Sequence, residues 1–190
     1  MEFKGSQTEK NLLAAFAGES QARTRYSFFS SAARKEGYEQ ISAIFQETSD
    51  NEKEHAKLFF NLLNGGTVEI TASYPAGIIG TTPQNLAAAA EGEKLEWGSL
   101  YPGFADIAKK EGFANVAHTF LQVAKVEAYH EHRYRKLLAS IAGNDVFKKD
   151  VSTVWKCRNC GYVHESCEAP SKCPVCEHPR AYFELFCENY

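Results

Sequence analysis

The first 156 residues of this 190-residue chain contain no cysteine. Nothing in that stretch can be stapled by a disulfide or ligated through a thiolate. Long apolar runs are missing as well: no segment approaches the roughly 18 residues of a membrane-spanning helix. The opening Met1-Glu-Phe-Lys-Gly-Ser6 has neither an apolar core segment nor a small-residue cleavage site, so no export signal is read there. Charge of one sign is equally scarce. A net charge of −3 offers no electrostatic footprint for nucleic acid or for an anionic membrane surface. The expectation is a cytoplasmic protein with neither of those partners.

Hydrophobic residues make up 44% of the chain and charged residues 24%, as in ordinary globular proteins. The length suffices for one medium domain with its own core and one much smaller domain. Residues 6–150 read as helix. Ser6-Gln-Thr-Glu9 has the pattern of a capping box ahead of an apolar-periodic run (Leu12, Leu13, Phe16, then Tyr26, Phe29, Ala33) that meets Gly37. A second helix is predicted from about Tyr38 to Leu63, ending at Gly65-Gly66. Residues 64–84 carry prolines and glycines and no helical period. A third helix begins near Thr82-Pro83 and ends at Gly112, weakened inside by Gly92 and Gly98. A fourth covers Phe113 to about Ala142 and stops at Gly143. Four long helices with two short connections and one long crossover describe an all-α bundle over residues 1–150.

The two halves of this bundle resemble each other at an offset of 75 residues. Lys35-Glu36-Gly37-Tyr38 recurs as Lys110-Glu111-Gly112-Phe113, and Glu52-x-x-His55 recurs as Glu127-x-x-His130. Positions i and i+3 share a helix face, so each Glu-His pair can point at one object. A single such pair is most often a solvated surface. Two on equivalent helices, with a further carboxylate from each remaining helix, form the donor set of ferritin-like di-iron and di-manganese proteins. The first helix offers Glu19, a charge inside the small, apolar stretch AFAGESQAR. The third offers Glu93 and Glu96 on one face, with Glu91 turned away. Offset 75 from Glu19 lands on Lys94, one residue past Glu93, which leaves open which carboxylate of this helix bridges. The expected cage is Glu19, Glu52, His55, Glu93, Glu96, Glu127 and His130. Hard carboxylates with few imidazoles suit iron or manganese. Tyr26, two turns from Glu19, is read as core rather than as a hydrogen-bond donor to a ligand. His118 and His132 are out of phase with the cage.

Cys157-x-x-Cys160 and Cys173-x-x-Cys176 are two knuckles of one S₄ site in residues 151–190, a segment too short to fold without such a staple. Spacing alone leaves a zinc ribbon open. Cys-Gly-Tyr after the first knuckle and Cys-Pro-Val-Cys, set among Trp155, Tyr162, Tyr182, Phe183 and Phe186, resemble rubredoxin, which holds one iron. Two departures stand out: a shorter loop between knuckles, and Glu177 where rubredoxins carry Gly. Cys167 and Cys187 are read as non-ligands.

AFAGESQAR, EKEHAK, YPAGII, EGEKLEW, VEAYHEHR and CRNCGYVHE…CPVC together resemble the rubrerythrin family over essentially the whole chain. The resemblance implies a ferritin-like four-helix bundle with a C-terminal rubredoxin-like Cys₄ domain of β-rich fold. It implies two non-haem irons held by the seven cage residues, which are also the catalytic ones, and one iron held by Cys157, Cys160, Cys173 and Cys176. The implied activity is reduction of hydrogen peroxide to water, in defence against oxidative stress. Electrons would come from NAD(P)H through a donor protein of rubredoxin or flavoprotein-reductase type. It further implies a homodimer with the rubredoxin domain of one subunit near the di-iron centre of the other, and places His55 and Glu96 at positions that exchange as ligands. Ferroxidase activity or oxygen reduction are the alternatives the same cage would serve.

Overall fold

The structure, a computed structural model, describes residues 2–188. Helix α1 spans Gln7–Lys35 and α2 spans Glu39–Asn61; α3 (Thr82–Leu95) runs through a π-helical turn, Glu96–Leu100, into α4 (Tyr101–Glu111), and α5 spans Ala114–Ala142. The single third helix expected from sequence is thus one rod with a changed hydrogen-bond ladder in its middle. A π-turn holds one residue more than the α-helix it interrupts, and such turns concentrate at functional sites.

Helix ends follow local chemistry. Ser6 Oγ accepts from Glu9 N–H at 3.1 Å, while the Glu9 carboxylate accepts from Gly5 N–H, one residue earlier than a standard capping box requires. Gly37 and Gly112 both adopt left-handed φ (84° and 92°), and the following amides reach back to Ala33 and Ala108. At the end of α5 the expectation fails in detail. Gly143 stays right-handed at φ −78°, and Asn144 takes the left-handed position at φ 53°. Asn tolerates that conformation through local hydrogen bonding.

Helices α1 and α2 pair as one hairpin, and α3–α4 pairs with α5 as the other. The crossover, residues 64–81, lies extended and largely exposed. Tyr74 anchors it by donating to the Ala14 carbonyl at 2.7 Å, its ring lying beside Gly18. Two apolar cores result. One gathers Leu12, Phe59, Tyr101, Ala108, Val116 and Phe120; the other gathers Leu86, Tyr134, Tyr26, Ala33, Ile41 and Phe45. Residue by residue these are the same core written twice, related by offsets of 74 or 75. The polar cage lies between them.

The C-terminal sheet is antiparallel in the order β2-β1-β3, with β1 at Lys148–Cys157, β2 at Val163–Glu168 and β3 at Phe183–Leu185. Trp155 and Phe183 fill its core beside Cys157 and Cys173. This unit meets the bundle at the α1–α2 turn, where Phe147 stacks on Tyr38 with ring centroids 6.3 Å apart. No helix among the described residues is long and apolar enough to cross a membrane.

Candidate metal centres

Helix α1 carries Glu19 inward, α2 carries Glu52 and His55, α3 carries Glu93, and α5 carries Glu127 and His130. All six are buried. They fall into two groups of four: Glu19, Glu52, His55 and Glu127, and Glu93, Glu52, His130 and Glu127. The donor atoms within each group lie within 4.8 Å of one another. Glu52 and Glu127 belong to both groups, so each can bridge. His55 Nδ1 lies 2.9 Å from Glu52, 2.8 Å from Glu127 and 3.9 Å from Glu19. His130 Nδ1 lies 3.2 Å from Glu52, 2.8 Å from Glu127 and 3.9 Å from Glu93. The imidazole planes are 27° apart, with centroids at 6.0 Å.

Glu96 is half-buried on the π-turn and joins neither group of four, although its charge acts on both Glu19 and Glu93. Its equivalent in the first half, at offset 74, is Ala22. Glu91 is exposed and paired with Arg135, and His118 and His132 are exposed on α5.

Burial and then the neighbouring carboxylates push Glu19, Glu93 and Glu96 well above the usual carboxylate range. For Glu52, burial is outweighed by its pairing with His130 and His55, which holds it down at about 2. The imidazoles respond in kind. Against burial, Glu127 and Glu52 raise His55 to about 10 and His130 to about 9. Five carboxylates facing two imidazoles are short of positive charge. Buried oxygens of Glu19, Glu52, Glu93 and both of Glu127, with His130 Nδ1, lack hydrogen-bond geometry, though several sit at ion-pair distance. Atoms that approach closely yet miss each other's hydrogen-bond directions converge on shared points between them, as ligands to cations do. The residues fit a di-metal centre.

Two tyrosines complete the cage. Tyr26 O–H donates to Glu93 at 2.6 Å, and Tyr101 O–H donates to Glu19. Each comes from the opposite half and packs on an aromatic ring, Tyr134 for Tyr26 and Phe59 for Tyr101. Tyr26 is therefore core and hydrogen-bond donor at once, not core alone as expected from sequence. Tyr101 was not anticipated, although offset 75 from Tyr26 points to it. The π-turn explains the slip at Lys94. Glu19 and Tyr26 are 7 residues apart on a plain α-helix, whereas Glu93 and Tyr101 are 8 apart across the π-turn. The added residue lets both side chains still face inward.

In the small domain the four knuckle sulfurs also lie within 4.8 Å of one another, with Sγ–Sγ distances of 3.7 Å (Cys157–Cys176) and 3.6 Å (Cys160–Cys173). A tetrahedron with metal–sulfur bonds of about 2.3 Å has edges of about 3.8 Å, so these sulfurs fit one ion. The two knuckles are built alike: Gly161 N–H returns to the Cys157 carbonyl and Glu177 N–H to that of Cys173, both at left-handed φ (79° and 63°). The backbone N–H of His178 leads the groups that lower the Cys176 thiol to about 6. Cys167 and Cys187 are exposed and stand outside the S₄ group.

A ferritin-like bundle with a buried carboxylate–histidine cage, joined to a rubredoxin-like Cys₄ sheet, defines a class of two-centre iron redox protein. The family model described as rubrerythrin matches residues 10–138, and that described as the rubrerythrin rubredoxin-like domain matches residues 155–184. The chain is 60% identical to rubrerythrin of Porphyromonas gingivalis, over 98% of this chain and 94% of that one. It is 55% identical to rubrerythrin of Clostridium perfringens, over 98% of each. Among solved structures, nigerythrin in its fully reduced, all-ferrous state superposes with a TM-score of 0.64 at 32% identity, covering 97% of this chain and 91% of that one. The chain belongs to the rubrerythrin family. It accordingly carries a cage for a di-iron centre and a Cys₄ site for one iron, in an iron-based redox role.

Proposed function

We propose that this protein reduces hydrogen peroxide to water at the cage, with electrons entering through the Cys₄ site. The observation that carries the reading is the pairing, in one chain, of two four-donor groups sharing Glu52 and Glu127 with a separate one-electron S₄ site. The di-iron centre, when bound, supplies two electrons at adjacent ions. Each peroxide takes up two electrons and two protons and leaves as two waters.

The protein's own groups do the rest. Glu19, Glu52, His55, Glu93, Glu127 and His130, with Glu96 beside them, would hold the centre. Tyr26 and Tyr101 orient Glu93 and Glu19 by donating to one oxygen of each, which leaves the other oxygen for a cation. Glu96 stands on the π-turn outside both groups of four, close enough for its charge to act on Glu19 and Glu93. The aromatic shells of Phe59, Phe120, Tyr134 and Phe45 exclude bulk water on both sides.

The Cys₄ unit sits at the Tyr38 end of the bundle. Glu52 is 14 residues further along α2, or about 21 Å at the helical rise. Electron transfer weakens steeply with distance, so the electron that reaches a cage comes from the Cys₄ unit of a second copy in a homodimer. That unit is refilled by a rubredoxin- or flavoprotein-type donor linked to NAD(P)H. A reducing cytoplasm would keep the four knuckle thiols available to their ion.

The test is to reduce the protein fully without oxygen, then mix it with peroxide or with dissolved oxygen at matched concentration while following absorbance of the ferric Cys₄ iron. Rapid return of colour with peroxide, much slower with oxygen, is expected. Faster return with oxygen would establish an oxidase instead, and slow return with both would sever the two sites.

A further inference from the structure

The π-turn is lightly packed for a part of the cage wall: none of its five residues is buried, Leu95 just before it is 60% exposed, and only Leu100 at its far end reaches the apolar core. Its ladder is also poorer, the Tyr101 amide reaching back to the Glu96 carbonyl across an extra residue. Yet Glu96, whose carboxylate faces the cage, stands on this turn. Leu100 lies at the far end of the turn, and Glu96 at its start has a different tie.

The bracing lies outside the bundle. Trp97 Nε1–H donates to Glu131 at 2.6 Å. The other oxygen of Glu131 accepts from Arg135 Nε at 2.5 Å, and Arg135 donates onward to Glu91 at 2.8 Å. The α3 rod is thereby tied to α5 both one turn before the π-turn and within it. Trp97 follows Glu96 directly, and Glu131 follows His130. Ser99 Oγ bonds only to the Leu95 carbonyl of its own rod. Among the described residues, Trp97 makes the sole side-chain hydrogen bond from the turn to another helix.

The internal repeat supplies the control. The positions equivalent to Glu91, Trp97, Glu131 and Arg135 are Ala17, Arg23, Ala56 and Phe60, and no such chain joins them. The first half has no π-turn and, at Ala22, no fifth carboxylate. The brace occurs only where there is a wide turn to hold.

We propose that Trp97 and Glu131 are positioning residues, an external latch that holds the π-turn and thereby sets where the Glu96 carboxylate sits beside the cage. The inference rests on the proposed function only through Glu96's place at the cage, and its test uses no peroxide. Trp97→Phe keeps an aromatic ring and deletes the N–H donor. Hydrogen exchange of the 94–101 backbone in the iron-loaded protein should quicken about tenfold, with α1 and α2 unchanged. Two irons should remain in the bundle, while the visible spectrum of their ferric form shifts towards that of Glu96→Ala; the Cys₄ spectrum should stay as it is. Glu131→Leu should reproduce both changes, and the double variant should add little to either single one. If Trp97→Phe fails to fold, Glu131→Leu decides alone by the same readings. Unchanged exchange at 94–101 would overturn the latch. Faster exchange with an unshifted ferric spectrum would overturn its link to Glu96.

Discussion

The α1–α2 hairpin and the α3–α5 hairpin follow one pattern of ligands and core residues, and three of the places where they differ bear on the cage. They share the terminal carboxylate, the Glu-x-x-His pair, the tyrosine donated to the other half, and even the capping of helix starts. Glu111 accepts from the Thr8 amide at 2.8 Å, and its counterpart Glu36 accepts from the Thr82 amide at 3.0 Å. What the second hairpin adds is one residue in a π-turn, a glutamate where the first has Ala22, and the Trp97–Glu131 tie. Two equal halves make two equal ion sites. The additions give one side of the cage a fifth carboxylate, and a symmetric pair of sites becomes an asymmetric one.

Breaking what the halves share should cost most. Glu52→Ala removes a donor from both groups at once, and bundle iron should fall from about two to one or less by elemental analysis, with Cys₄ iron kept. Stripping the metal comes next, because it leaves the shared cluster to protons. His55 and His130, raised to about 10 and 9, stabilise the metal-free fold fully below about 6.5 and lose that as pH rises through those values. Glu19, Glu93 and Glu96, also raised, act in the same direction from about 4.5 upward. Glu52, lowered to about 2, acts oppositely and matters only in acid. The melting temperature of metal-free protein, followed by helical ellipticity, should therefore fall between about pH 5 and 8. That of the loaded protein should hold or rise, since ions compete with protons for the same atoms.

Smaller effects sharpen the comparison. Tyr26→Phe and Tyr101→Phe each orphan one cage carboxylate and should each destabilise by about 1–3 kcal/mol in chemical denaturation. Near-equal values would show that the π-turn has restored full equivalence to the second tyrosine; a much smaller value for Tyr101→Phe would show that it has not. Glu96→Ala makes the second half resemble the first, and should keep about two bundle irons by elemental analysis while slowing the peroxide-driven return of colour. The smallest effect concerns the knuckles, which repeat the same lesson in miniature. Gly161 and Glu177 adopt the same left-handed turn, and only the glycine does so without steric cost. Glu177→Gly should stabilise the Cys₄ unit by about 0.5–1 kcal/mol, read as slower loss of its iron to a chelator.

The sequence by itself determined the elements and the donors. Helical periods, glycine stops and the twice-used Glu-x-x-His are local patterns, set by 3.6 residues per turn, and two CxxC knuckles admit little but a shared ion. Even the π-turn left a trace, in an offset that changes from 74 to 75 between Glu93 and Tyr101. Tertiary structure decided what depends on partners distant in the chain. It showed Glu52 and Glu127 common to both groups, gave Tyr26 and Tyr101 to carboxylates 67 and 82 residues away, and left Glu96 outside either set of four. Periodicity says which way a side chain faces along its own helix. Only the packing of one hairpin against the other decides which atoms it meets there, because that depends on the crossing of axes that no local pattern encodes.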